Sequence, residues 1–259
     1  MYVIGIDVSR HNGKIDHRKA AAAGAKYVFI RCTVGDYYTD TRFAENWYGF
    51  KEAGLLVSAY IVPIPSAWNG RPIPYKDQVD KFLHSFQDRQ PDMPIAIDAE
   101  VDMGKDRTFL TALFEGTGRL LQDFGGFPYP YIYTRKTWWD LHINAAKFWK
   151  NYPLWVAHYT NAPQPWLPRD WKEWSGWQYS SKGKGPFFGD EEDYIDLNHM
   201  QPEDFLKYTD ETPGQNLYPV SIEIGSEVYK GKLEKLVQTQ FQTAQHPLLG
   251  TKEGKEGTR

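Results

Sequence analysis

Only one cysteine, Cys32, occurs in the 259 residues. That excludes an intrachain disulfide and a Cys-based zinc site. No apolar run is long enough to span a bilayer, so no membrane insertion is expected. The N-terminal MYVIGIDVS lacks a basic n-region and a long apolar stretch. It reads as a strand and not as a signal peptide. The net charge is −3 and the basic residues form no stripe, which argues against nucleic acid as a partner. No Gly-rich dinucleotide turn follows the first apolar run. The seven His are scattered, with no H-E-x-x-H and no paired spacing, so neither a metal nor a cofactor is expected. The acidic run Asp190–Asp193 reads as a solvated loop ahead of a calcium site.

What the chain has in excess is aromatic rings, 16% of all residues with 10 Trp and 17 Tyr. Rings with polar handles suit a core, and they also suit a cleft that stacks on sugars. The length fits a single α/β barrel. Eight short runs rich in β-branched and aromatic residues read as strands: Tyr2–Val8, Tyr27–Thr33, Leu55–Val62, Pro94–Glu100, Pro130–Thr134, Leu154–His158, Gly176–Ser180 and Tyr194–Asn198. Helical stretches at Ile15–Ala23, Asp40–Ala53, Tyr75–Phe86 and Thr108–Phe124 separate the first five. Gly24, Gly54 and Gly125-Gly126 mark helix stops. Such alternation argues for parallel strands joined by right-handed crossovers. The later connections are Pro-rich and Gly-rich, which leaves little room for helices. The last three strands are therefore expected to run partly antiparallel. The expected fold is α/β, an irregular TIM-like (β/α)5(β)3 barrel over residues 1–200. Residues 201–259 are expected to form a short extension, with a hairpin at 218–236 and a mobile tail at 247–259.

In PIAIDAE, Ala96, Asp98 and Glu100 share one strand face, because side chains alternate. Two carboxylates on the lining face at a strand's C-terminal end sit where barrel enzymes place their chemistry. Residues two apart on such a face lie ~6.6 Å apart at Cα. Repulsion at that range keeps a proton on the pair, giving one acid and one anion. Glycoside hydrolysis needs that division. Asp7 in YVIGIDVS and Asp196 in YIDLN also follow apolar runs. In a closed barrel the first and last strands are neighbours, so Asp7 and Asp196 are expected side by side. Tyr60, Tyr133, Trp155, Tyr159 and Gln178 end the other strands and are the candidate substrate-binding residues.

Eight motifs in this order, GIDVSRHNGKID, FIRCTVG, AGLLVSAY, IAIDAE, PYIYT, LWVAHY, GWQYSS and DYIDLN, resemble the family 25 glycoside hydrolases over about residues 2–200. These are the Chalaropsis-type lysozymes, many phage endolysins among them. The resemblance implies a muramidase that cuts the β-1,4 bond between N-acetylmuramic acid and N-acetylglucosamine in bacterial cell-wall peptidoglycan. By motif match it makes Glu100 the proton donor and Asp98 the second carboxylate, with Asp7 and Asp196 as supporting acids. Two positions depart from the family pattern. Val34 stands where an acid is usual, and Ile61 where a His follows the Tyr. Both are expected near the cleft. The bare N-terminus and the single cysteine suggest a phage or prophage endolysin, held in the host cytoplasm until release and then acting on the wall. Two alternatives stay open: a catalytically weak or inactive wall-glycan-binding or virion protein on the same barrel, and a chitinase-like hydrolase. The oligomeric state is not legible.

Overall fold

Alternation along each apolar run sends one set of side chains inward and the next outward. Two apolar layers result. Tyr27, Phe29, Ala96, Tyr131, Tyr133, Trp155 and Ala157 fill the inside of a barrel. Val28, Ile30, Val57, Ile95, Ile97, Ile132 and Val156 face outward against the helices. The computed structural model describes residues 1–67 and 69–209, and of the remainder the backbone of two strands, 217–224 and 227–234.

The barrel unit runs β1 (Val3–Val8), α1 (His17–Ala22), β2 (Tyr27–Val34), β3 (Tyr38–Thr39), α2 (Phe43–Glu52), β4 (Leu56–Val62), α3 (Tyr75–Phe86), β5 (Ala96–Asp98), α4 (Arg107–Asp123), β6 (Tyr131–Thr134), α5 (Lys136–His142), β7 (Leu154–Ala157), β8 (Gly176–Lys184), β9 (Tyr194–Met200) and α6 (Pro202–Thr209). All eight expected strands are present, with shorter or longer ends. They close in the order β1-β2-β4-β5-β6-β7-β8-β9, and β9 returns to β1. The two-residue β3 is an added edge on β2. Asp16 and Asp106 start α1 and α4 by accepting the Lys19 and Phe109 amide hydrogens at 3.1 and 2.9 Å. Gly24 and Gly54, at φ 103° and 82°, follow the ends of α1 and α2 in backbone that a Cβ would disfavour.

Of the eight strands that close the barrel, only β9 runs antiparallel, to both β8 and β1; β7 and β8 are parallel. The Pro-rich connection between β7 and β8 contains no helix but is long enough to cross over. Indole N–H groups hold it in place of helical bonds. Trp171 Nε1 donates to the Tyr152 carbonyl at 2.8 Å, and Trp177 Nε1 to the His158 carbonyl at 2.8 Å.

Two helices lie outside the sequence reading. Helix α5 buries Trp138 and Trp139 against the outer layer. Helix α6 lies at the barrel floor. Its Phe205 ring is 6.5 Å from Tyr27, and its Tyr208 hydroxyl is 2.9 Å from that of Tyr131. The first compact unit is Met1–Asp210 and includes α6. In the second unit, Glu211–Arg259, β10 (Leu217–Ile224) and β11 (Glu227–Glu234) pair antiparallel. The expected tail at 247–259 lies outside the described residues.

Candidate active site

A cavity of about 420 Å³ opens at the end of the barrel where the parallel strands finish. Asp7, Asp98, Glu100 and Asp196 line it, as do Tyr60, Tyr133, Trp155, Tyr159 and Gln178. All nine residues singled out in the sequence meet there. Arg31, Arg135 and Ser181 line it too and were missed.

Strand β5 stops at Asp98, two residues short of Glu100. The next residue is nonetheless held in extended register. The Ala99 amide donates to the Tyr133 carbonyl at 2.8 Å, and Thr134 Oγ1 donates to the Ala99 carbonyl at 2.7 Å. Ala99 is buried in the helix-facing layer, and its two neighbours, Asp98 and Glu100, both line the cavity. Asp7 pairs directly with Asp196 across β1 and β9. Asp196 is near the start of β9 and not its end, and the strand's reversal is what brings it to the cavity.

Asp7 is held by a network that alternation builds from four other strands, β6, β7, β8 and β9. Its Oδ2 accepts from Gln178 Nε2 at 2.9 Å and from Asn198 Nδ2 at 2.8 Å. Gln178 Oε1 in turn accepts from the Tyr133 and Tyr159 hydroxyls at 3.0 and 2.7 Å. Asn198 Oδ1 accepts from Trp155 Nε1 at 2.7 Å. Burial raises the Tyr133 phenol well above its ordinary value and the Tyr159 phenol to about 12, so both keep their hydrogens. Two donors on Oε1 fix the Gln178 amide with its NH2 group toward Asp7.

Burial dominates the charge balance of the acids. It lifts the Asp98 carboxyl well above the usual range, aided by Glu100 and Asp7 and opposed by Arg31 and Arg135. Oδ1 of Asp98 is buried and has no hydrogen-bond partner among the described residues. Asp196 is pushed up to about 8 by burial, then by Asp7 and Glu100. Asp7 reaches about 6, with burial outweighing the pull of Asn198 and Gln178. Glu100 meets Arg135, Oε2 to Nη2, at 3.3 Å.

A stability signature follows. An acid whose pKa is higher folded than unfolded takes up protons on folding, so its contribution is greatest at low pH and is lost as pH rises through the folded value. For Asp196 that loss runs from about pH 4 to about 8, and for Asp7 to about 6. The melting temperature should fall between pH 5 and pH 8.5. Asp196→Asn should raise it at pH 8.5 by about 5 °C, the scale of ~2 kcal/mol in a protein of this size. Thermal melts of parent and variant at the two pH values check this. A variant no more stable than the parent at pH 8.5 counts against a buried proton on Asp196.

Val34 and Ile61 were expected near the cleft, and neither lines the cavity. Ile61 is the farther from the expectation. Its neighbour Tyr60 faces the cavity, so alternation turns Ile61 into the helix-facing layer, where it is fully buried. Val34 packs on a satellite cluster of Val62, Ile64 and Ile73. Cys32 is buried in the outer layer, and burial raises its thiol pKa. Asp190 is likewise structural, accepting from Asn12 Nδ2 at 2.7 Å and from the Glu192 amide at 3.0 Å.

The model of the glycosyl hydrolases family 25 matches residues 6–186. The chain belongs to this family. It is 30% identical over 194 residues to the uncharacterized protein YegX of Escherichia coli K12, a match covering 70% of this chain and 64% of that protein. The chain thus spans somewhat under two thirds of that relative's length. It is 25% identical over 199 residues to the N,O-diacetylmuramidase of Chalaropsis sp, covering 69% of this chain and 88% of that one. The bacterial lysozyme of Streptomyces coelicolor superposes with a TM-score of 0.70 at 25% identity, over 80% of this chain and 97% of that chain. The family 25 barrel therefore ends at a cavity with four carboxyl groups at its mouth.

Proposed function

We propose that the protein is a muramidase that hydrolyses the β-1,4 bond between N-acetylmuramic acid and N-acetylglucosamine in bacterial peptidoglycan. The observation that carries the reading is Asp98 and Glu100 on one face of one extended segment, both lining the cavity, with a buried unpaired oxygen on Asp98. Glu100, the more accessible of the two, gives a proton to the leaving glycosidic oxygen. Asp98 takes up the acetamido N–H of the sugar on its free Oδ1, orienting that group and offsetting positive charge as the bond breaks. Water completes the cleavage: its O–H becomes the anomeric hydroxyl of one product, its other proton restores Glu100, and the second product carries the proton that Glu100 donated. Asp7, fixed by Gln178 and Asn198, and Asp196 beside it complete the electrostatic frame. The N,O-diacetylmuramidase of Chalaropsis supports the choice of bond, and the S. coelicolor lysozyme supports the substrate class.

The same reading carries the setting of a phage or prophage endolysin, with the wall as its partner. One cysteine, buried in the outer layer, leaves the fold independent of an oxidising compartment. The test is mass analysis of fragments from digested wall. Fragments with muramic acid at the new reducing end are expected. Reducing ends at glucosamine, or cuts in peptide, would overturn the reading. Expressed inside a bacterium, the protein should leave cells intact until the membrane is opened and should then clear them. Lysis without membrane opening would overturn the endolysin setting.

A further inference from the structure

Two cations reach the cavity, and they are held differently. Arg31 is clamped: its Nε donates to Asp40 Oδ2 at 2.8 Å, and its side chain is 13% exposed. Asp40 is itself fixed by the backbone amides of Arg10 and Arg42, both at 3.0 Å. That guanidinium is part of the wall. Arg135 is 53% exposed and makes one polar side-chain contact among the described residues, the 3.3 Å approach to Glu100. Charge-assisted bonds of a committed pair are shorter, about 2.7–2.9 Å and often bidentate. Most of the five donors of Arg135 are therefore unspent. Its base is nonetheless placed firmly. It follows Thr134, whose hydroxyl ties β6 to the residue between Asp98 and Glu100.

A neutral sugar does not call for a free guanidinium at the mouth of its cleft, whereas a carboxylate does. The neighbouring acids leave that cation available. Asp196, pushed up to about 8 by burial, holds its proton at neutral pH, which lowers the negative charge of the cavity.

We propose that Arg135 is a specificity residue that binds a carboxylate carried by the glycan substrate, exchanging its long contact with Glu100 for a forked one with the substrate. The proposal rests on the muramidase reading. The carboxylate has two sources on a wall glycan. One is the lactyl ether of a muramic sugar stripped of peptide, and the other is the acidic residues of an attached stem peptide.

The test uses the full chain, parent and Arg135→Gln, with Arg135→Lys as the variant that keeps charge but loses the fork. The substrates are soluble glycan chains freed of peptide, chains still bearing peptide, and both after conversion of their carboxylates to methylamides. The parent should favour a free-acid chain over its methylamide by about tenfold in kcat/KM, the scale of one charged hydrogen-bonding contact. Arg135→Gln should reduce that ratio to about two, chiefly through a higher KM on the free acid. Arg135→Lys should fall between. The loss appears on peptide-free chains if the lactyl group is the source, and on peptide-bearing chains if the stem is. Equal losses on acid and methylamide, or a parent indifferent to the conversion, would overturn the proposal and leave the muramidase reading standing. A parent that cuts none of the chains would overturn both. Matching melting curves exclude misfolding as the cause.

Discussion

Glu100→Gln is expected to lower glycan cleavage by about 10³-fold, within the range that a positioned general acid contributes, and to leave the fold intact. The substitution is isosteric and removes only the transferable proton. The site tolerates it because Glu100 lies beyond the end of β5, a third exposed, with Arg135 as its one charged contact among the described residues. The extended backbone beneath is held through Ala99 and not through the Glu100 side chain. Release of reducing ends from purified wall, measured near pH 5 and near pH 7, reads the loss. Circular dichroism and a thermal melt read the fold. Clearing of walls at the parent rate would move the acid to another residue. Asp98→Asn is the natural companion. It keeps an acceptor oxygen but no longer offers a negative charge, so its loss should depend on whether the cleaved sugar carries an acetamido group.

Trp155→Ala is expected to have the largest effect on stability, about 3–5 kcal/mol, the usual cost of deleting a buried large aromatic side chain. The indole is 2% exposed. It stacks on Phe29 at 4.4 Å and meets Tyr133 edge-on at 4.6 Å. Truncation opens a void in the middle of the barrel and strands the Asn198 amide oxygen. Trp155→Phe separates the two effects. It keeps a ring but deletes the N–H, leaving Asn198 Oδ1 buried and unpaired at a cost of about 1–3 kcal/mol. Asn198 then loses its orientation, and Asp7 loses one of its two donors. Urea unfolding of the three proteins measures the stabilities, and glycan cleavage measures the consequence for Asp7. A Trp155→Ala protein within about 1 kcal/mol of the parent would mean that the indole does not hold the barrel interior.

The eight barrel strands were legible because each is a short apolar run bounded by turn residues, and the helices with long amphipathic stretches were legible for the same reason. Helix α5, seven residues starting after an arginine, and α6, eight residues starting at Pro202, carry too few turns for a helical period to stand out. The direction of β8 was obscured because the prolines before it signal a loop, and it is length that decides whether a loop can cross a sheet. The nine singled-out residues were readable from strand ends. Three that were missed follow the same alternation: Arg31 after Tyr27 and Phe29, Arg135 after Tyr133, and Asn198 after Asp196. Applying the period of two one step further along each strand finds all three. Ser181 was hidden for a different reason. It lies where register shifts break the pairing of β8 with β9, and no pattern in GWQYSS announces them. Ile61 falls away from the cleft because its neighbour Tyr60 faces the cavity and successive strand residues take opposite faces.

The split into two apolar layers sets where this sequence is free to drift. The strand residues that face the helices are mostly aliphatic and tolerate exchange so long as volume is conserved. The inner layer offers no such freedom, since Tyr133 and Trp155 fill space and also donate the hydrogens that orient Gln178 and Asn198. Two descendants of this barrel can therefore exchange most of their outer residues and still superpose, while the rings around the acids change only together with the chemistry they hold in place.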